Sequence, residues 1–284
     1  MLEEILALGF TGVELGYDLT LDLVPGVRKM VDAGAVTVDS VHCYCPVPIG
    51  APGGHPELFL LTDLAERARG SATTHVEETA TFAGEVGAST IVLHGGRVEM
   101  RRFTHRLIDL AQRDKLASPR YEKLKFKLLD RRARKAQRHL DALQKSLDEL
   151  LPRLEELQIA VALENLPSWE SVPTEMELLP ILQSYDSPYL RYWHDIGHGQ
   201  VRENLGLIAQ HPWLEQLRPY LAGMHVHDVS APAGDHRMPP GGDVDFSLFK
   251  PAARSGIPLV LEPVPGTPEA DLKQARQFLE SAWS

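Results

Sequence analysis

The chain has 284 residues, enough to bury a substantial core in one α/β barrel or two small domains. Its 43% hydrophobic and 24% charged content is that of a soluble globular protein, no apolar run reaches the ~18–20 residues that span a bilayer, and the acidic Met1-Leu2-Glu3-Glu4 start lacks the basic region of a secretory signal. A formal net charge of −10 argues against a nucleic-acid-binding protein, and two cysteines one residue apart, Cys43 and Cys45, read as packed thiols of a reduced, cytoplasmic chain.

In chain order, Met1 to Leu8 reads as the end of a helix, Gly9 as its stop and Gly12-Val13-Glu14-Leu15 as a strand. Leu21 to Ala33 is helical and Gly34 closes it. The strand Val36 to Cys45 carries His42, and a Pro/Gly-rich loop over Pro46 to Gly54 follows. Two helices, Pro56–Arg69 and Thr73–Val86, precede the strand Ile91-Val92-Leu93-His94. After a long helical excursion come the strand Val161-Ala162-Leu163-Glu164, a helix over Glu175 to Gln183 and the strand Tyr192-Trp193-His194-Asp195. Helices over Val201–Gln210 and Trp213–Leu221 lead to Met224-His225-Val226-His227. Asp245 reads as the N-cap of a helix over Phe246 to Arg254, Val260-Leu261-Glu262 is the last strand, and Glu269 to Ala282 the last helix. Strand-then-helix repetition with short connections predicts a parallel sheet. The expected fold class is α/β, a TIM-type (β/α) barrel with seven readable strands and none in the first-strand position, in a single domain over 1–284.

Residues 97–157 form the excursion. From Pro119 to Leu157 the helical pattern is continuous except at Pro152, where a bend is expected. Ala136, Leu140, Leu143, Leu147, Leu150, Leu154 and Leu157 recur at alternating spacings of four and three, a heptad-type seam whose Leu-rich half can cover the barrel. The basic half (Lys123, Lys125, Lys127, Arg131, Arg132, Arg134, Lys135 and Arg138) is expected to project over the site rim or to pack on a partner such as a second copy of the chain, with a solvated helix face as the plain alternative. Residues 97–145 hold 16 Lys/Arg against 6 Asp/Glu, whereas the remainder has a balance of −20.

All seven strand-like runs end in or beside a carboxylate or an imidazole. In a parallel α/β architecture such ends gather at one sheet edge, where sites are built. Hard carboxylate oxygens with imidazoles suit a divalent ion such as Mn²⁺, Mg²⁺, Co²⁺ or Zn²⁺. Four coincident ends, Glu164-Asn165, Asp195-Ile196-Gly197-His198, His225-Val226-His227-Asp228 and Glu262-Pro263, are more specific than any one alone. A lone strand-end Glu is ordinarily a satisfied polar cap.

With Gly9-Phe10-Thr11-Gly12-Val13-Glu14-Leu15 and the run Asp235-His236 through Pro239-Pro240-Gly241-Gly242-Asp243-Val244-Asp245-Phe246, these motifs make the chain resemble the xylose-isomerase-like TIM barrel superfamily, over nearly its whole length outside the excursion. That group includes sugar (phosphate) isomerases and epimerases and the endonuclease-IV-type apurinic-site nucleases. The epimerase pattern implies one divalent metal held by Glu164, Asp195, His225 and Glu262. Catalysis would fall to Glu164 and Glu262, moving a proton through an enediolate, and to His198, orienting a substrate oxygen. Substrate contacts would come from His42, His94, Glu170, Trp193, His227, His236 and Arg237, with a carbohydrate as the small-molecule partner. An arginine expected six residues after the metal histidine is replaced by Ala231.

The nuclease pattern instead adds His42, His94 and His236 to the ligands and implies two or three Zn²⁺ for phosphodiester hydrolysis. Against it, the loop Asp of that family is replaced by Gly234, and the acidic remainder of the chain would repel DNA. A barrel that binds metal or sugar without catalysis is the third reading. His194 is expected behind its strand; His55, His75, His105, His139 and His211 are expected to face solvent.

Overall fold

The alternation of apolar runs and amphipathic stretches folds into strands and helices in nearly the predicted order. The computed structural model describes residues 2–284. Along the chain run α1 (Leu2–Ala7), β1 (Gly12–Leu15), α2 (Val24–Asp32), β2 (Thr37–His42), α3 (Glu66–Glu85), β3 (Thr90–Leu93), α4 (Phe103–Ala111), α5 (Pro119–Leu157), β4 (Ala160–Glu164), α6 (Glu175–Tyr185) and β5 (Leu190–Asp195). Then follow α7 (Ile196–Asn204), α8 (Gln210–Leu217), β6 (Leu221–Val226), β7 (Asp228–Ser230), β8 (Gly234–Arg237), a 3₁₀ turn at Phe246–Phe249 leading into α9 (Lys250–Ala253), β9 (Leu259–Leu261) and α10 (Glu269–Trp283). No helix among the described residues is long and apolar enough to cross a membrane.

The chain divides into two compact units. The first contains residues up to Gly96, Asp141–Glu164 and Ile181–Trp193. Its strands are parallel, β1 pairing with β2, β2 with β3, β3 with β4 and β4 with β5. Every residue of β3 is buried, as expected of a parallel strand covered on both faces. Register positions the chemistry: Leu93 pairs with Leu163, so His94 lies level with Glu164 at the carboxyl ends of their strands. The Leu-rich half of α5 packs here, with Leu143, Leu147, Leu150 and Leu154 fully buried. Ser146 on the same face donates to the Leu61 carbonyl at 2.9 Å.

The second unit contains Arg97–Leu140, Asn165–Pro180 and His194–Ser284. In it β6 and β9 pair in parallel, His225 opposite Val260 and Val226 opposite Leu261, which sets His227 level with Glu262. β7 and β8 form an antiparallel hairpin. Phe103, Leu107, Tyr121, Leu128, Trp169, Val201 and Leu205 form a core under α4, the basic half of α5 and α7. Arg132 and Arg202 enter this region paired through their terminal nitrogens: Arg132 grips Glu177 with both, at 2.6 and 2.7 Å, and Arg202 binds Glu175 at 2.7 Å. Burial pushes the Glu177 carboxyl up, but the Arg132 guanidinium outweighs it and holds the group below its ordinary value.

Three expectations are corrected and one element is added. Residues 56–65 are turns rather than a first helix; the Asp63 side chain accepts from the Ala65 amide at 2.8 Å and starts α3 at Glu66. The helix expected from Val201 begins at Ile196, because Asp195 caps it by accepting from the His198 amide at 2.6 Å. The β7–β8 hairpin carries no apolar alternation and was not foreseen. His139 is buried, its Nε2 accepting from the Glu99 amide at 3.1 Å. By contrast α5 runs unbroken from Pro119 to Leu157 through Pro152, 39 residues or about 58 Å at 1.5 Å per residue.

Candidate functional site

In the first unit, His42, His94 and Glu164 bring one ligand atom each within 4.8 Å of one another. Glu164 is buried at the end of β4, and one of its oxygens lies 3.2 Å from His42 Nε2 and 3.1 Å from His94 Nε2. His42 Nδ1 lies 2.9 Å from the Cys43 carbonyl. A carbonyl only accepts, so Nδ1 carries a proton and the neutral ring turns an Nε2 lone pair toward the carboxylate. Two facing lone pairs call for a proton or a cation between them. Tyr17, which sequence reading passed over, packs edge-on to His42 with ring centroids 5.2 Å apart. Trp193 is fully buried. Cys43 and Cys45 are buried, free thiols whose pKa burial raises, so neither offers a thiolate.

In the second unit, Asp195, His225 and Glu262 converge from the ends of β5, β6 and β9. His225 Nδ1 lies 3.7 Å from Asp195 Oδ2 and 3.9 Å from Glu262 Oε2. Two ligands each about 2.0–2.2 Å from one ion stand about 3–4 Å apart, so this spacing accepts a divalent metal. The donor chemistry agrees, and Glu262 Oε2 is buried with no hydrogen-bond partner, the cost of which a cation would remove.

His198 sits one turn into α7. Its Nδ1 lies 3.1 Å from the Asn165 carbonyl, which fixes the proton there and leaves Nε2 to accept. Asn165 also clamps the Asp195 backbone, donating to its carbonyl at 2.9 Å and accepting from its amide at 2.8 Å. The side chain thus replaces one rung of strand pairing.

His227 has neither face nor edge in solvent. Its Nε2 lies 3.0 Å from Asp195 Oδ1 and 3.2 Å from Oδ2, and its Nδ1 accepts from the His236 amide at 2.8 Å. Burial disfavours the charged ring, but Asp195 outweighs it and raises the pKa. In the neutral form the amide on Nδ1 places the single proton on Nε2, aimed at Asp195. The ring also explains Gly197, since a Cβ there would lie 2.0 Å from His227 Cε1. His236, at a positive φ of 52°, stacks on His227 at 4.1 Å and places Nδ1 3.5 Å from Glu262.

The remaining predicted residues divide. Glu170 is buried with both oxygens engaged: Oε1 accepts from the Phe103 and Thr104 amides, Oε2 from the Thr104 and Ser168 hydroxyls, so it caps α4. Arg237 is exposed and donates to the Ser230 hydroxyl. His194 is buried behind β5, as expected, against Phe249, and burial pushes its pKa down to about 4. Asp228, missed as a site element, anchors the loop after β8 by accepting from Gly242 at 2.7 Å and Val244 at 3.0 Å.

A family model described as "Xylose isomerase-like TIM barrel" matches residues 2–282. The chain belongs to this family. Its seven parallel strands, β1 to β6 and β9, and surrounding helices are an α/β TIM-type barrel fold. Among solved structures, a D-tagatose 3-epimerase-like protein is similar at 19% identity and TM-score 0.69, covering 99% of this chain and 91% of that one. An L-ribulose 3-epimerase is similar at 12% identity and TM-score 0.71, covering 99% and 87%. The IOLI protein with a binding zinc atom is similar at 14% identity and TM-score 0.63, covering 99% and 89%. At these identities the likeness is one of fold. No protein of curated function matches the sequence.

Proposed function

We propose that this family member is a divalent-metal-dependent isomerase or epimerase that moves a proton at a carbon beside the carbonyl of a sugar, sugar phosphate or related polyol. The observation that carries the reading is the convergence of Asp195, His225 and Glu262 around a buried carboxylate oxygen without a hydrogen bond. Sugar epimerases among the solved structures of the same fold support the substrate class. Asp195, His225 and Glu262, with Glu164 as the fourth ligand, would hold one ion of Mn²⁺, Mg²⁺, Co²⁺ or Zn²⁺. When bound, such an ion supplies Lewis acidity to a carbonyl and its neighbouring hydroxyl.

The chain's own residues do the rest. Glu164 and Glu262 are the proton-transfer pair, one removing and the other returning the proton. With a proton or a cation between them and its oxygen, His42 and His94 would hold the Glu164 carboxylate in one orientation. His198, with Nδ1 committed to Asn165, presents Nε2 to a substrate hydroxyl. His236 and Arg237 face the substrate on the Glu262 side. The basic half of α5, where Lys123, Lys127 and Arg131 are exposed, is the surface on which a second copy of this acidic chain would dock; sedimentation of a K123E/K127E/R131E variant as a monomer under conditions where the parent dimerises tests it, and a parent monomeric at low salt refutes it.

A second reading is a multinuclear zinc phosphodiesterase, favoured by the His42–His94–Glu164 cluster and the His198–His227–His236 group, each within 4.8 Å. Metal analysis of protein purified without chelator separates the two. The isomerase reading expects one ion per chain, lost in Glu262→Gln, and metal-dependent exchange of a ketose C–H in D₂O followed by NMR. Two or three zinc ions with cleavage of abasic DNA overturn it.

A further inference from the structure

The hairpin strand β8 and the loop after β9 line an open cavity of about 550 Å³, with His236 among its lining residues. One wall is the segment from Asp235 to Gly241; the other is Val264 to Pro268 with the first turns of α10. The volume lies within the ~300–1,000 Å³ typical of ligand sites and exceeds what one hexose ring fills. His236 belongs both to this wall and to the Glu262 neighbourhood, at 3.5 Å. The cavity therefore adjoins the Glu262 neighbourhood through the His236 ring.

The lining is polar in a particular way. Asp235, Asp271 and Gln274 present side chains that make no hydrogen bond or ion pair within the described residues, while the guanidinium of Arg237 is already engaged by Ser230. Two free carboxylates and an amide accept from and donate to hydroxyls, as Arg237 can donate with its remaining N–H groups. Pro240 and Val264 supply apolar surface for the C–H face of a sugar ring, and proline holds that wall at fixed φ. A phosphate would meet two carboxylates against one occupied guanidinium, an arrangement that repels dianions.

We propose that this cavity is a subsite for an uncharged, polyhydroxylated extension of the substrate, a second sugar ring joined to the one that reacts, and that it selects against phosphorylated substrates. The proposal rests on the isomerase or epimerase reading and names the substrate class for it. Four probes test it on the metal-loaded protein: D-fructose, D-fructose 6-phosphate, and the glucosyl ketoses isomaltulose and turanose. Binding is measured by calorimetry and C–H exchange separately by NMR. At least one glucosyl ketose is expected to bind about tenfold more tightly than fructose, the worth of one or two hydrogen bonds, and fructose 6-phosphate more weakly than fructose. Asp271→Ala with Gln274→Ala is expected to lower the disaccharide-to-fructose preference about tenfold, and Asp235→Lys with Asp271→Lys to reverse the order of fructose and its phosphate. A preference for fructose 6-phosphate in the parent protein, or a disaccharide preference that survives D271A/Q274A, overturns the subsite. Disaccharide binding that depends on Asp271 without exchange of any sugar keeps the subsite and overturns the isomerase reading instead.

Discussion

Gly197→Ala tests the arrangement around Asp195 through the sign of its effect. Gly197 lies in the first turn of α7, where alanine would ordinarily stabilise a helix by up to ~1 kcal/mol. Here the added Cβ would lie 2.0 Å from His227 Cε1, 2.2 Å from Nδ1 and 2.8 Å from Nε2. The ring is fully buried and pinned at both nitrogens, so it cannot turn aside without losing Asp195 and the His236 amide. Overpacking costs ~1–3 kcal/mol, and the hydrogen bond to a carboxylate adds ~1.5–3 kcal/mol if it breaks. After the helix gain, a net loss of ~3 kcal/mol is expected, with a Tm lower by roughly 5 °C for a chain of 284 residues. Urea unfolding measures the stability and calorimetric titration with Mn²⁺ the metal affinity, which should fall about 10–100-fold as Asp195 loses its orienting partner. Gly70→Ala in α3 is the control, since a Cβ there meets nothing within 4 Å and should stabilise. In a His227→Ala background the penalty of Gly197→Ala should vanish, a coupling a double-mutant cycle reads directly. A Gly197→Ala protein as stable as the parent would refute the packing argument.

Glu170→Ala is expected to cost ~2–4 kcal/mol, because two amides and two hydroxyls lose a buried carboxylate. Hydrogen exchange over Phe103–Ala111 should accelerate before the rest of the chain; an unchanged exchange pattern with a raised KM would instead make Glu170 a substrate contact. Glu177 titrates below its ordinary 4.5 in the folded chain. Its contribution is therefore fully present above about pH 4.5 and lost as pH falls through the depressed folded value. Stability of Glu177→Gln measured from pH 2 to 5 should vary less steeply with pH than that of the parent; identical slopes would deny the Arg132 pair that role.

The elements that local pattern specifies were legible. Short strands with Glu, Asp or His at or beside their ends, and the 39-residue helix with its leucine seam, follow from periodicities that each segment carries alone. The nearness of Asp195, His225 and Glu262 was legible too, because parallel strands deliver their carboxyl ends to one edge whatever packs around them. What escaped were residues whose role depends on a distant partner. Glu170 resembled a substrate contact until the amide ends of α4, more than sixty positions earlier, filled its oxygens. His139 reads as a surface residue on a basic helix until the Glu99 amide meets it. Gly197 carries no packing signal in the sequence, and only the packed His227 ring shows that the missing Cβ is the point. Sequence by itself determined which donor types stand at the strand ends. Tertiary structure decided which nitrogen of each imidazole is committed, which carboxylates are already satisfied and where a cavity opens, because burial and hydrogen-bond partners are properties of neighbours brought together by the fold.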